Sequence, residues 1–590
     1  MSYQYIVALM LAVGHSASAV PVIHDIVIRN GMIYDGSGGP PFAGDVAFDD
    51  DRIAYVGPHR ALKARKTFDA KGRAVSPGFI DMMGHSEESL LIDGRALSGL
   101  RQGVTLDVFT ETSKGPLTPE MARLMVAREG DLQYEVTWST LGGYLDELRR
   151  KGIAPNVGSF VGEGEVRVNV LGETDATPTD AQLAAMGGLV RQAMEEGALG
   201  LTTALIYAPM NYAMTPELIA MARESARCGG IYTAHMRSEG DHIEQAVQET
   251  IDIARASGAP AEIHHLKLMG ADNWNKLDRV VHMIDGARSS GIRITADMYV
   301  YTAGGTALDA SLPPWVHDGG QEAMTERLRN PATRARVIAT MQEAHPADWE
   351  NLFHLSGPDG MLILGVKAAS LKPLIGKTIA EVARQRGVSP ENAIIDLVVE
   401  DNAGDRDDVA YTFISEDNIP REIALPWVSF GSDAESSAPE GPFLLSSTHP
   451  RAYGNFARLF AKYVRDEHII TVEEAVRRLT SLPADVLSLS DRGRLRKGAY
   501  ADVVIFDPHT FQDHSTYQQP LQFATGVTDV FVNGQPALAD GQPTGATPGR
   551  IIRGRAWTGR PGGGCRNSAQ EWQWSPATSD RKSKYRERSP

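Results

Sequence analysis

The stretch GGIYTAHMRSEGDHIEQAVQETIDIARASGAPAEIHHLKLMG, Gly229–Gly270, decides the fold. It opens with a short apolar run that ends at His235 and closes with another that ends at His265. Between them, His242 to Ser257 carries apolar residues at Ile243, Val247, Ile251, Ile253 and Ala254, the spacing of one helical face. The flanking runs are strand-length, so the unit reads strand, helix, strand. The texture repeats in GVTLDVFTE, APNVGSFVGEGEV, GLTTALIY, IRITADMYVY and PWVSFGSDAE, with a further helical segment over Asp180–Glu196. Such alternation, sustained over roughly 400 residues, is the pattern of a parallel (β/α)8 barrel, an α/β fold whose chemistry sits at the strand C-terminal ends.

Outward from this core the texture changes. From His24 to Val75, period-two runs are broken by Asn-Gly, Asp-Gly and Gly-Gly, and similar runs return in ADVVIFDP and VTDVFVNGQPALADGQ. Residues 20–75 plus 483–555 are therefore expected to form one small β-sandwich domain built from both chain ends. The barrel is expected over 76–482, with a helical insert at about 318–425, where charged helix formers dominate. The tail, 556–590, is low in aliphatics and reads as disordered.

At the N-terminus, the apolar run Tyr5–Val13 followed by Ala17-Ser18-Ala19 has the shape of a secretory signal over residues 1–19, although the n-region lacks Lys and Arg. That reading places the chain in the periplasm or outside the cell; without it the chain is cytoplasmic. Nothing later resembles a membrane-spanning run. Over 590 residues the net charge of −16 and pI near 5.5 argue against sequence-independent nucleic-acid binding and leave a small molecule as the expected partner. Homo-oligomerisation stays open. Cys228 and Cys565, the two cysteines, imply neither a disulfide framework nor a Cys-rich zinc module.

Five strand ends carry groups suited to a divalent ion and its chemistry: His85, Glu111, His235, His265 and Asp433. Imidazoles and carboxylates there would point into the barrel mouth, where zinc finds N and O ligands, and a further carboxylate can shuttle a proton. A single strand-end histidine is more often structural, and Glu111 could simply cap a helix. The five in barrel order make the stronger argument.

The order of motifs SPGFID, LRQGVT, GALGLTTALIY, TAHMRSEGD, HHLKLMG, TADMYVYTA, SLPPW, FGSDAE, THPRAYGNF and VNGQPALADG resembles the N-acyl-D-amino-acid deacylase (D-aminoacylase) branch of the amidohydrolase superfamily, with this chain as a divergent member. The resemblance implies His235 and His265 as ligands of a tightly held zinc and Asp433 as the catalytic acid/base. It implies that Lys267, Tyr301 and Arg451 hold a substrate carboxylate, with Arg237 a further substrate-binding candidate. Two departures matter. Met83 stands where the family has the first histidine of a His-x-His pair, and the family's bridging cysteine falls at or beside Thr112. A thioether is a poor zinc ligand, so one zinc is expected to bind tightly and a second weakly or not at all. Glu111 is the nearest third ligand, although one residue off, while His85 would line the pocket or assist a weak second ion.

The implied activity is hydrolysis of the amide bond of an N-acyl, D-configured amino acid or short peptide-like substrate with a free carboxylate. Hydrolysis of a cyclic amide, imide or lactone, and a catalytically impaired binding protein on the same fold, are the alternatives.

Overall fold

The computed structural model describes residues 23–401, 408–559 and 564–567. The expected signal over 1–19 and most of the 556–590 tail lie outside them. Strands β1 (Ile23–Ile33), β2 (Phe42–Asp49), β3 (Arg52–Gly57), β4 (Lys63–Asp69) and β5 (Ala74–Pro77) begin a sheet completed by β18 (Val503–Phe506), β19 (Val527–Val532), β20 (Gln535–Ala539) and β21 (Gln542–Pro543). The two chain ends meet where β5 pairs antiparallel with β18, from Ala74 opposite Phe506 to Pro77 opposite Val503. Alternate residues Ile26, Ile28, Val46, Phe48, Val503 and Phe531 bury one face of this sheet. The Phe531 ring meets Phe68 and Phe48 edge-on at 4.8 and 5.4 Å, a geometry aromatic quadrupoles favour.

The barrel strands are β6 (Phe79–Gly84), β7 (Val104–Phe109), β8 (Asn156–Ser159), β9 (Val161–Gly162), β10 (Gly200–Ala204), β11 (Ile231–His235), β12 (Ala261–Ile263), β13 (Ile294–Met298) and β17 (Val428–Phe430). They form two parallel arcs, β6-β7-β8 and β9-β10-β11-β12-β13-β17. Phe160 alone separates β8 from β9, and a parallel bridge from Gly84 to Ala434 joins the other edges. These strands are covered on both faces, so they read as apolar runs rather than as alternation. Every residue of β6, β7 and β11 is buried. Helices such as Asp180–Glu196 and Ile243–Ser257 pack outside; the first is started by a capping box from Thr179 and Gln182.

Two expectations need correction. The 318–425 insert is not purely helical: β14 (Ala303–Ala307), β16 (Asp408–Thr412) and β15 (Met361–Ile363) form a three-stranded antiparallel sheet among its helices. The β14 sequence, AGGTA, is small and glycine-rich, and so carries no strand periodicity. Cys228 and Cys565 are also joined, by a disulfide with an S–S distance of 2.05 Å. Their separation of 337 residues hides the pairing from any local reading. Among the described residues no helix is long and apolar enough to cross a membrane.

Candidate active site

Three ligand-type atoms from three strand ends converge. Glu111 Oε1 lies 2.8 Å from His235 Nδ1 and 2.9 Å from His265 Nε2, and the two nitrogens are 3.0 Å apart. Glu111 follows β7, His235 ends β11 and His265 follows β12. Two imidazoles and a carboxylate with their donor atoms facing one point are a donor set that fits zinc. Glu111, His265 and Asp433 all hold positive φ, at 65°, 35° and 50°. Non-glycine residues rarely adopt that region, and each is pinned there through its backbone N–H. Glu111 donates to Thr202 Oγ1 at 2.8 Å, His265 to Asp297 Oδ1 at 2.7 Å, and Asp433 to the Met83 carbonyl at 2.8 Å. The left-handed turn brings Glu111 to the two histidines and leaves Thr112 exposed.

A second group shares Glu111. His85 Nε2 lies 3.1 Å from Asp433 Oδ1 and 3.7 Å from Glu111 Oε2, so the two oxygens of Glu111 face two adjoining clusters. Met83 is fully buried and presents its carbonyl, not its sulfur, to Asp433.

Behind the histidines sits Glu239, fully buried. Its Oε1 is 2.9 Å from His265 Nδ1, and its Oε2 is 2.7 Å from Lys267 Nζ and 3.5 Å from His235 Nε2. A carboxylate behind each ring favours a proton on the rear nitrogen and a lone pair in front. Glu239 is held in turn by Glu350, whose Oε2 accepts from the Glu239 and Gly240 amides. Burial alone would raise the Glu239 carboxyl, but Lys267 and the two histidines bring it down to about 2. Burial and Lys267 oppose a charged His265, yet Glu239 and Glu111 hold it up at about 10. His265 is thus held between the Glu239 and Glu111 carboxylates.

Asp433 faces Arg451, the first residue of the helix Arg451–Arg458, with Oδ2 2.6 Å from Nη1. Burial would raise its carboxyl; Arg451 and the bond to His85 keep it below the usual carboxylate range. Arg451 is itself buried, its Nε has no hydrogen-bond partner among the described residues, and its guanidinium lies 4.6 Å from the Tyr299 ring centre. The Tyr299 hydroxyl is likewise buried without a hydrogen-bond partner among the described residues. Both line a cavity of about 1230 Å³ that also contains His85, Glu111, His235, His265, Lys267 and Asp433, with Thr306 of β14 and the insert residues Leu352 and Phe413 in its lining.

Two of the expected substrate-binding residues stand outside the cavity lining. Tyr301 does not line this cavity: its hydroxyl donates to the Pro450 carbonyl at 3.4 Å and its ring packs over Arg458. The chain leaves β13 at Met298, so strand parity no longer tells which tyrosine faces inward, and Tyr299 takes the place. Nor does Arg237 line it. Its guanidinium is consumed by Glu249 and the carbonyls of Asn211 and Ala213. Glu239 escaped the sequence reading; the only signal was a carboxylate four residues after a strand-end histidine.

The amidohydrolase family model matches residues 66–537. The chain belongs to the amidohydrolase family. This amidohydrolase is 30% identical over 533 residues to the N-acyl-D-glutamate deacylase of Alcaligenes xylosoxydans xylosoxydans, covering 90% of this chain and 96% of the relative. It is 31% identical to the D-aminoacylase of the same organism, covering 90% and 97%. Among solved structures, an N-acyl-D-glutamate deacylase from Bordetella bronchiseptica, complexed with zinc and a phosphonate inhibitor, superposes with a TM-score of 0.75 at 29% identity, covering 90% of this chain and all of that one.

The cavity wall contributed by the segments after β6 and β9 carries buried carboxyls. Glu87 and Glu165 line it, both buried deeply enough to push their carboxyls up to about 7. Glu163 and Glu165 open the buried start of the helix Glu163–Leu171. Glu165 Oε2 accepts from the Ser113 amide at 3.1 Å, and Lys114 Nζ donates to Glu88 Oε1 at 2.7 Å.

Proposed function

We propose that this chain is a metal-dependent amide hydrolase that cleaves an N-acyl D-amino acid, or a short peptide-like substrate, next to a free carboxylate. The observation that carries the reading is the convergence of Glu111, His235 and His265 beside Asp433 at one cavity. We assign zinc to that triangle, on its N/O donors and on the zinc complex of the Bordetella relative. When bound, such an ion supplies Lewis acidity toward water and the scissile carbonyl. His85, with Glu111 and Asp433, would give a second ion a weaker hold.

The chain's own residues do the rest. Arg451 and Tyr299 offer unused donors to a carboxylate, and a guanidinium can meet it with two parallel bonds. Anchoring that charge fixes the amide carbonyl against the metal triangle. Lys267 holds Glu239, and through it the two histidines. Asp433 accepts a proton from the attacking water and delivers it to the departing amine. Arg451 pairs with Asp433 and holds its carboxyl low; turning toward a substrate carboxylate releases that pairing and raises the basicity of Asp433 when a base is needed. The D-configuration is supported by the names of the relatives. Export to the periplasm or beyond is supported by the N-terminal pattern and by the Cys228–Cys565 disulfide, a bond of oxidising compartments.

Metal analysis and a turnover screen test the reading together. The purified protein is expected to hold about one tightly bound zinc per chain and to cleave N-acetyl-D-amino acids. Asp433→Asn should keep the metal and lose at least about a hundredfold in kcat. Undiminished turnover by D433N, or no metal under replete conditions, overturns the mechanism.

A further inference from the structure

Resting on the deacylase reading, we infer that the substrate carries a cationic group, an ammonium or guanidinium, that lies against Glu87 and Glu165 while its carboxylate engages Arg451. Glu87 is 4% exposed, lines the cavity, and its Oε1 has no hydrogen-bond partner among the described residues. Glu165 adds a second carboxyl from the helix that follows β9, two of whose contacts are the Ser113 amide and hydroxyl. The nearby cation, Lys114, does not serve this pair by contact: its ammonium is bound to Glu88. The patch therefore sets the carboxyls of Glu87, Glu88 and Glu165 against two cations, the Lys114 ammonium on Glu88 and the His85 imidazole near Glu87.

A carboxyl oxygen buried without a partner costs free energy until a donor or cation joins it. A substrate ammonium or guanidinium supplies both. By the same argument an acidic side chain or acyl group would place like charges together in a site of low dielectric and be rejected. The cavity thus offers Arg451 to a carboxylate and the Glu87 and Glu165 carboxyls to a cation, a pairing matched by a zwitterionic substrate. The cation has two sources, the amino-acid side chain or the acyl end.

The test is kcat/KM of the zinc-loaded full chain on four substrates: N-acetyl-D-lysine, with the cation on the side chain; glycyl-D-leucine, with it at the acyl end; N-acetyl-D-leucine; and N-acetyl-D-glutamate. One cationic substrate is expected to exceed N-acetyl-D-leucine by about tenfold or more, with N-acetyl-D-glutamate below it. In the double variant E87Q/E165Q the ratio of cationic to neutral turnover should fall by about tenfold. Two cationic substrates at or below the neutral one, or a ratio unmoved by the double variant, overturn the inference. If none of the four is cleaved, the deacylase reading fails instead. The acidic wall is then judged by calorimetry with D-lysine against D-norleucine, where equal affinity refutes it and tighter D-lysine binding upholds it.

Discussion

Glu239 decides how two histidines present their lone pairs, although no motif marks it. It faces His265 Nδ1, His235 Nε2 and Lys267 Nζ at once, so its charge balances the lysine while its two oxygens orient both rings. Glu239→Gln keeps the shape and removes the charge. Lys267 is then buried without a counter-ion, and the amide nitrogen of Gln opposes one of the groups that the carboxylate accepted from. Zinc affinity is expected to fall by about 10–100-fold, measured by competition with a chromophoric chelator. Turnover per bound zinc should change far less, and an unaltered affinity would show that the rings are oriented by packing alone. The contrast with His235 and His265 shows what can be read at this scale. Their position at the ends of apolar runs is a local property of the chain, whereas the reach of Glu239 back to them depends on a loop conformation held by Glu350, more than a hundred residues on. Tyr299 and Tyr301 differ for the same kind of reason: alternation predicts facing only while the strand lasts.

At the level of elements, the helix Glu163–Leu171 follows directly on β9 and carries Glu165 into the cavity wall. What fixes it is Arg167, which is fully buried. Its Nη1 reaches both oxygens of Glu217 at 2.7 and 2.9 Å, and its Nη2 donates to the carbonyls of Thr174 and Ala176. Glu163 joins the group, its carboxyl pushed up by burial and by Glu217. Removing one member of a buried charge pair strands the other, so Arg167→Ala is expected to cost about 3–5 kcal/mol in denaturant unfolding. Glu163→Gln, which imitates the protonated acid, should cost under about 1 kcal/mol; a large loss there would mean that Glu163 is ionised in the fold. The helix Asp180–Glu196 and the buried strands were legible because their periodicities are strong and local. The sheet β14-β16-β15 was not, since AGGTA has no apolar alternation and its partners lie more than fifty residues away. The acidic helix start at Glu163 reads as a solvated first turn until the barrel closes over it.

Over the whole molecule, the two chain ends are secured differently. The N-terminal strands join a sheet with β18 to β21, and the segment after β21 runs back along the barrel, where Ile551 bridges Val157 and the Gly554 amide donates to the Gly197 carbonyl. Beyond it, the short turn Gly564–Asn567 is fastened by the Cys565–Cys228 disulfide to the end of the helix Thr215–Arg227, immediately before the strand that delivers His235. A cross-link across so long a loop restricts the unfolded chain more than the folded one, which already holds the two ends together. The metal triangle lies at the opposite, C-terminal end of β11, five residues of buried strand away from Gly230. Reduction, or Cys565→Ser, is therefore expected to lower the melting temperature by a few degrees while leaving zinc content and kcat/KM within about twofold of the intact protein. Mass spectrometry of the unreduced, denatured chain should show no thiol available to alkylation. Two free thiols in protein prepared from an oxidising compartment would remove the tether, and with it the chemical support for export.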